Sequence, residues 1–177
     1  MVVQEYDDQW PKYFAAIGEV FRAHLSSVEA IEHVGSTSVP GMCAKPIIDI
    51  DIIVGGDKEF ATTKTELESL GYVHNGNQGV EGREVFIRTG NNGHKVLDGI
   101  RHHLYVCKRD SMELSRHLRF RDALRNDASL REAYRAIKKD ILTEVGEDNR
   151  AGYVEKKERA YGWFFENVLD KGNRSSP

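Results

Sequence analysis

Apolar residues recur every three or four positions at the start of the chain: Trp10, Phe14, Ile17, Phe21 and Leu25. That spacing predicts an amphipathic helix with one buried stripe. The period then shifts towards two. Glu29–Val34 alternates like a short strand. Pro46–Val54 is β-branched and apolar apart from two acids, which predicts a strand with little solvent exposure. Asp57 can cap a helix running to about Leu70, which Gly71 can end. Tyr72–His74 and Glu84–Thr89 read as strands across a Gly/Asn-rich turn. Asn91-Asn92-Gly93 marks another turn, and His102–Cys107 a further strand. Beyond Ser111 the pattern predicts helices over about Ser111–Arg125, Ser129–Val145 and Arg150–Leu169. The expected fold is α+β: a small mixed sheet with packed helices and a helical C-terminal part. One folding unit spans 1–170, with an α/β core over 1–110, a helical part over 111–170 and a tail over 171–177. Two lobes in one unit leave a cleft between them, a common place for a ligand.

Composition narrows the class. With 177 residues, 40% apolar and 30% charged, the chain suits one globular core. A net charge of -3 gives no electrostatic case for bulk nucleic-acid binding. No apolar run reaches the length of a membrane span. Met1 to Trp10 is acidic and polar, unlike a signal peptide. Cys43 and Cys107 lack metal-like spacing, so free thiols in a reducing cytoplasm are expected.

The candidate chemistry lies between the first two strands. Gly35-Ser36-Thr37-Ser38 follows one strand, and Asp49-Ile50-Asp51 sits inside the next. Gly35 lets the backbone turn tightly. Ser36, Thr37 and Ser38 offer hydroxyls and amides that suit an anion. A Walker A loop, G-x-x-x-x-G-K-[ST], is absent. Side chains alternate along a strand, so Asp49 and Asp51 share one face and Ile48, Ile50 and Ile52 the other. Two neighbouring carboxylates in an apolar strand are costly unless a cation or a basic side chain joins them. Mg²⁺ accepts one or two carboxylates completed by phosphate oxygens and water.

The order Gly-Ser, short helical segment, Asp-hydrophobic-Asp is similar to the nucleotidyltransferase superfamily. The blocks His33–Gly41 and Ala44–Ile50 resemble the GrpB (UPF0157) family specifically. Further matches are Arg83 to Phe86, His102-His103-Leu104, Phe120-Arg121-Asp122 with Leu124-Arg125, Tyr134 with Lys138, and Tyr153 with Lys157. The resemblance implies a nucleotidyltransferase fold, a nucleoside triphosphate and a divalent metal, Mg²⁺ or Mn²⁺. It leaves the acceptor open. In that frame Asp49 and Asp51 are the expected metal ligands and, with His103, the catalytic set. Gly35, Ser36, Thr37, Ser38, Lys45, Arg83, Arg121, Lys138, Tyr153 and Lys157 are the candidates for phosphate or nucleotide contact.

Active nucleotidyltransferases usually carry a third carboxylate on a later strand. Here that strand offers His103 or Tyr105. The base that deprotonates an acceptor could be Asp51 or His103. His33, beside the turn, reads as a satisfied supporting residue. Three readings follow: a metal-dependent nucleotidyltransferase, a binding module of the same fold without turnover, and a phosphohydrolase using His103.

Overall fold

A computed structural model describes residues 3–89, 93–146, 149, 151–157, 159, 160, 162 and 164. The first helix, α1 (Trp10–His24), follows its apolar stripe: Trp10, Ile17, Phe21 and the flanking Leu25 are buried. Strand β1 (Ala30–Val34) leads through Gly35 into a 3₁₀ turn (Ser36–Ser38) and then β2 (Ile48–Val54). β2 begins two residues later than the apolar pattern suggested. Helix α2 (Asp57–Ser69) starts after Gly56, so Asp57 stands in its first turn rather than capping it. Its charge is still well placed at a helix N-terminus. Gly71 ends the helix at φ 87°.

Strands β3 (Tyr72–His74) and β4 (Arg83–Arg88) are followed by a short helix, α3 (Lys95–Gly99), that the periodicity did not predict. Strand β5 (His102–Lys108) then leads to α4 (Met112–Asn126) and α5 (Ala128–Val145). Ser111 caps α4 by accepting from the Leu114 amide, and Asp127 caps α5 by accepting from Ser129 and Leu130. Residues 151–157 are helical, inside the stretch expected to be the last helix. Asn91, Asn92, most of 158–170 and the tail lie outside the described residues.

The sheet order is β1-β2-β5-β4-β3. β2 and β5 run parallel, and the other neighbours are antiparallel. One face packs Ile48, Ile50, Ile52, Leu104 and Val106 against α1 and Leu67 of α2. The opposite face carries Asp49 and Asp51 of β2 with His103 and Tyr105 of β5. In register, Asp49 lies beside His103, and Asp51 beside Tyr105. A second apolar cluster joins Val39, Met42 and Cys43, from the segment after the turn, to Phe120, Leu124, Tyr134, Ile141 and Tyr153 of the helical part. The two clusters therefore flank the turn and the two aspartates. Among the described residues, no helix is long and apolar enough to cross a membrane.

Candidate functional site

The turn brings its glycine against the first aspartate. Gly35 has φ 68°, and a Cβ there would come within 2.3 Å of Asp49 Oδ2. The position thus needs both the conformational freedom and the missing side chain of glycine. The three hydroxyls that follow have different roles. Thr37 is buried, hydrogen bonded to His33 Nε2 at 3.0 Å and donating to the Ile47 carbonyl at 3.4 Å. Ser38 donates to the Gly35 carbonyl at 2.6 Å. Ser36 alone of the three faces both cavities described below.

Each aspartate has one oxygen held by a histidine. Asp49 Oδ1 lies 2.9 Å from His103 Nδ1, whose ring is half exposed. Asp51 is 0% exposed, and its Oδ2 lies 2.7 Å from His117 Nδ1. The other ring nitrogen of His117 lies 3.2 Å from Glu113 Oε1. Burial pulls the His117 imidazole down, but hydrogen bonds to Asp51 and Glu113 outweigh it and hold its pKa up at about 9. Burial pushes the Asp51 carboxyl up, and the His117 hydrogen bond pulls it back. The His117 contact also holds Glu113 low. The arrangement is an imidazolium between two carboxylates. Asp51 Oδ1 is buried and has no hydrogen-bond partner among the described residues.

Two cavities meet over this face. One, of about 320 Å³, is lined by Ser36, Thr37, Lys45, Asp49, Arg83, His103, Tyr105, Lys138, Tyr153 and Lys157 among others. The other, of about 230 Å³, adds Gly35, Glu113, His117 and Tyr134. Arg83 borders both and lies over the Tyr105 ring, 4.6 Å from its centre; its Nε is buried with no hydrogen-bond partner among the described residues. Lys45 lies over the Tyr153 ring at 4.9 Å. Lys138 is 2% exposed, with Nζ donating to Ser36 Oγ and to the Cys43 carbonyl, each at 2.7 Å. A larger cavity of about 580 Å³ shares Ile47, His103 and Tyr105 but contains neither aspartate. The chemistry, not the volume, locates the site.

The structure gathers most of the expected residues: Gly35, Ser36, Thr37, Lys45, Asp49, Arg83, His103, Lys138, Tyr153 and Lys157 all border these cavities. It moves two away from the ligand role expected of them. Arg121 bonds Glu32 at 2.6 Å, Asp122 at 2.7 Å and the His33 carbonyl at 3.1 Å, and borders neither cavity. Ser38 is turned inward by its bond to Gly35, and its carbonyl accepts from Arg125 at 2.8 and 3.0 Å. Asp51 is present but sealed beneath the surface of both cavities. His117 and Glu113 were missed by the sequence reading. The available signal was Glu113-x-x-x-His117 in the first turns of a helix that directly follows the β5 strand.

Among the described residues, no three of His, Cys, Asp and Glu are grouped to hold an ion by themselves. Each aspartate does keep one oxygen free of the histidines: Asp49 Oδ2 beside Gly35, and the orphaned Asp51 Oδ1. Two carboxylate oxygens completed by phosphate and water match what Mg²⁺ accepts. The donor set fits the group.

A glycine-serine turn followed by paired acids on the adjacent strand of this five-stranded sheet defines a nucleotidyltransferase-like fold. The Cid1 poly(U) polymerase, in a crystal structure with MgGTP bound, shares that fold at a TM-score of 0.55 and 15% identity, over 86% of this chain and 50% of that one. The chain belongs to the GrpB protein family, whose profile matches residues 1–170. It is 37% identical over 140 residues to UPF0157 protein BH1888 of Halalkalibacterium halodurans, covering 77% of this chain and 67% of that one. Against YqkA of Bacillus subtilis, at 31% identity, the match spans 39% of the relative. The crystal structure of conserved protein GrpB from Enterococcus faecalis superposes with a TM-score of 0.78 at 28% identity, over 96% of this chain and 98% of that one.

Proposed function

We propose that the cleft binds a nucleoside triphosphate with Mg²⁺ and transfers its nucleotidyl group to an acceptor hydroxyl. The observation that carries this reading is the packing of Asp49 against Gly35, with Ser36 and Lys138 on the same cavity wall; Asp51 lies buried two residues further along the strand, its Oδ1 without a hydrogen-bond partner among the described residues. Asp49 and Asp51 would hold the metal. When bound, the metal would orient the phosphates and offset the charge that develops on them.

The chain's own groups divide the remaining work. Ser36 and Lys138 receive the terminal phosphates. Arg83 and Lys157, which border both cavities, add positive charge there. Tyr153 presents an aromatic surface beside Lys45. His103 is better placed than Asp51 to take the acceptor's proton. With Nδ1 donating to the Asp49 carboxylate, Nε2 is the ring nitrogen left to meet the acceptor. Asp51 is buried and already bonded to His117.

The double variant Asp49→Asn with Asp51→Asn tests the site. Calorimetry is expected to show Mg²⁺-ATP binding lost, with the far-UV spectrum unchanged. Unaltered affinity would sink the metal assignment. A second reading, binding without turnover, is favoured by one observation: β5 sets His103 and Tyr105, not an acid, beside Asp49 and Asp51. Labelled triphosphates with a broad acceptor panel separate the two. Pyrophosphate release with label on an acceptor supports transfer, and saturable binding alone supports the module.

A further inference from the structure

Lys138 is the most deeply buried cation near the cleft, and among the described residues it has no carboxylate partner. Its Nζ touches Ser36 Oγ, the Cys43 carbonyl and, at 4.7 Å from the ring centre, the face of Tyr134. A lysine that only filled this apolar cluster would be better replaced by a methionine, since burying an ammonium without a counter-ion is costly. The amine itself is what the site retains. The charged and titratable groups that act on it are Lys157, Cys43 and Asp49. Burial, with Lys157 adding to it, pulls the Lys138 pKa down to about 7. Near neutral pH the amine is therefore available both to donate and to accept a proton.

Its partner is equally distinct. Thr37 and Ser38 have their hydroxyls committed to the Ile47 and Gly35 carbonyls, whereas among the described residues the Ser36 hydroxyl meets only Lys138 and faces the two cavities. The left-handed backbone at Gly35 places Ser36 on the cavity wall directly after a strand. A hydroxyl at hydrogen-bond distance from a desolvated amine is the arrangement that activates serine as a nucleophile.

We propose that Ser36 and Lys138 form a serine–lysine dyad, and that Ser36 accepts the terminal phosphoryl group of a bound Mg²⁺–nucleoside triphosphate. The choice of donor rests on the cleft reading above, in which the terminal phosphates lie against Ser36. Ser36 Oγ forms a bond to the γ-phosphorus. The bond from that phosphorus to the β–γ bridging oxygen breaks, and the nucleoside diphosphate leaves with the electron pair. The serine proton passes to Lys138 Nζ, which becomes an ammonium. The product, phosphoserine, places a dianion where the next donor's phosphates would bind, so the reaction limits itself.

The experiment pairs binding with covalent labelling. Calorimetry first establishes Mg²⁺-ATP binding. The protein is then incubated with ATP labelled at the terminal or the α-phosphate, denatured, and its peptides mapped by mass spectrometry. The expected result is terminal label on Ser36, forming faster as rising pH deprotonates Lys138, over a range above about 7 because the bound phosphates favour the ammonium. Ser36→Ala is expected to abolish it. Lys138→Met, which keeps the cluster filled, is expected to slow it about 100-fold or more while melting like wild type. Bound nucleotide with no label at any pH overturns the dyad and leaves the cleft reading standing. Retained α-label overturns the proposed transfer. A fluorophosphonate probe reads the nucleophile without any nucleotide. If ATP does not bind but the probe labels Ser36, the cleft reading and the phosphoryl donor fall and the dyad stands; if neither labels, the dyad falls.

Discussion

The imidazole of His33 is 7% exposed, stacks on Phe14 with ring centres 4.7 Å apart, and meets the Thr37 hydroxyl. Burial, only partly opposed by the charge of Asp49, lowers its pKa from 6.5 to about 4. Between those values the unfolded chain takes a proton at His33 and the folded chain does not. Stability is therefore lost as pH falls from about 6.5 to 4, by up to about 3 kcal/mol from this residue. His33→Phe keeps the stack and has no proton to gain. Urea unfolding at pH 7.5 and pH 5 is expected to show a smaller acid loss in the variant than in wild type; equal losses would assign the acid sensitivity elsewhere. The supporting role of His33 was legible, because it adjoins the turn in a strand that alternates. The partner of Asp51 was not. The spacing of Glu113 and His117 shows that they share a helix face, but no local pattern says which strand that face covers. Alternation alone put His103 and Tyr105 on one face of their strand, and the resemblance to nucleotidyltransferases supplied the expectation of an acid there.

At the scale of elements, the turn between β1 and β2 carries the site, and its neighbours hold it from behind. Arg125 grips the Ser38 carbonyl, and Arg121 grips Glu32 and the His33 carbonyl. Their four-residue spacing puts both arginines on one face of α4. It could not reveal that the face meets β1 and the turn, because helical spacing fixes direction and not neighbour. Strand β2 was more legible, since its isoleucines could only be buried and its aspartates had to face the other way. α3 escaped because five residues carry too little periodicity. Gly35→Ala tests the turn. The new Cβ would strike Asp49 at 2.3 Å, and alanine is strained at φ 68°. The expected cost is about 2–4 kcal/mol in denaturant unfolding, with Mg²⁺-ATP binding weakened in the fraction that stays folded. A variant as stable as wild type would show that the turn relaxes without disturbing Asp49.

Across the whole molecule, the segment after the turn is one of the links between the sheet and the helical cluster. Val39, Met42 and Cys43 belong to the helical cluster, although they lie between β1 and β2 in the chain. The same segment supplies Lys45 to the cleft and a carbonyl to Lys138. Stability of the helical part and order of the phosphate-facing wall are thus coupled, while the sheet's own cluster rests on α1 and α2. Tyr134 is the sharpest probe of that coupling. It is 1% exposed, stacks on Phe164 and meets Phe120 edge-on, with ring centres 5.2 Å away in both cases. Its truncation in Tyr134→Ala is expected to cost about 3–5 kcal/mol, the range for losing a buried aromatic ring. The loss should be uneven. Hydrogen exchange is expected to quicken at amides of α4, α5 and residues 36–45, while β2 and β5 keep their protection. Quickening spread evenly over the sheet would mean that the two clusters unfold as one unit. Protection retained at 36–45 would mean that the cleft wall is held by the sheet alone, and that the helical part does not control its order.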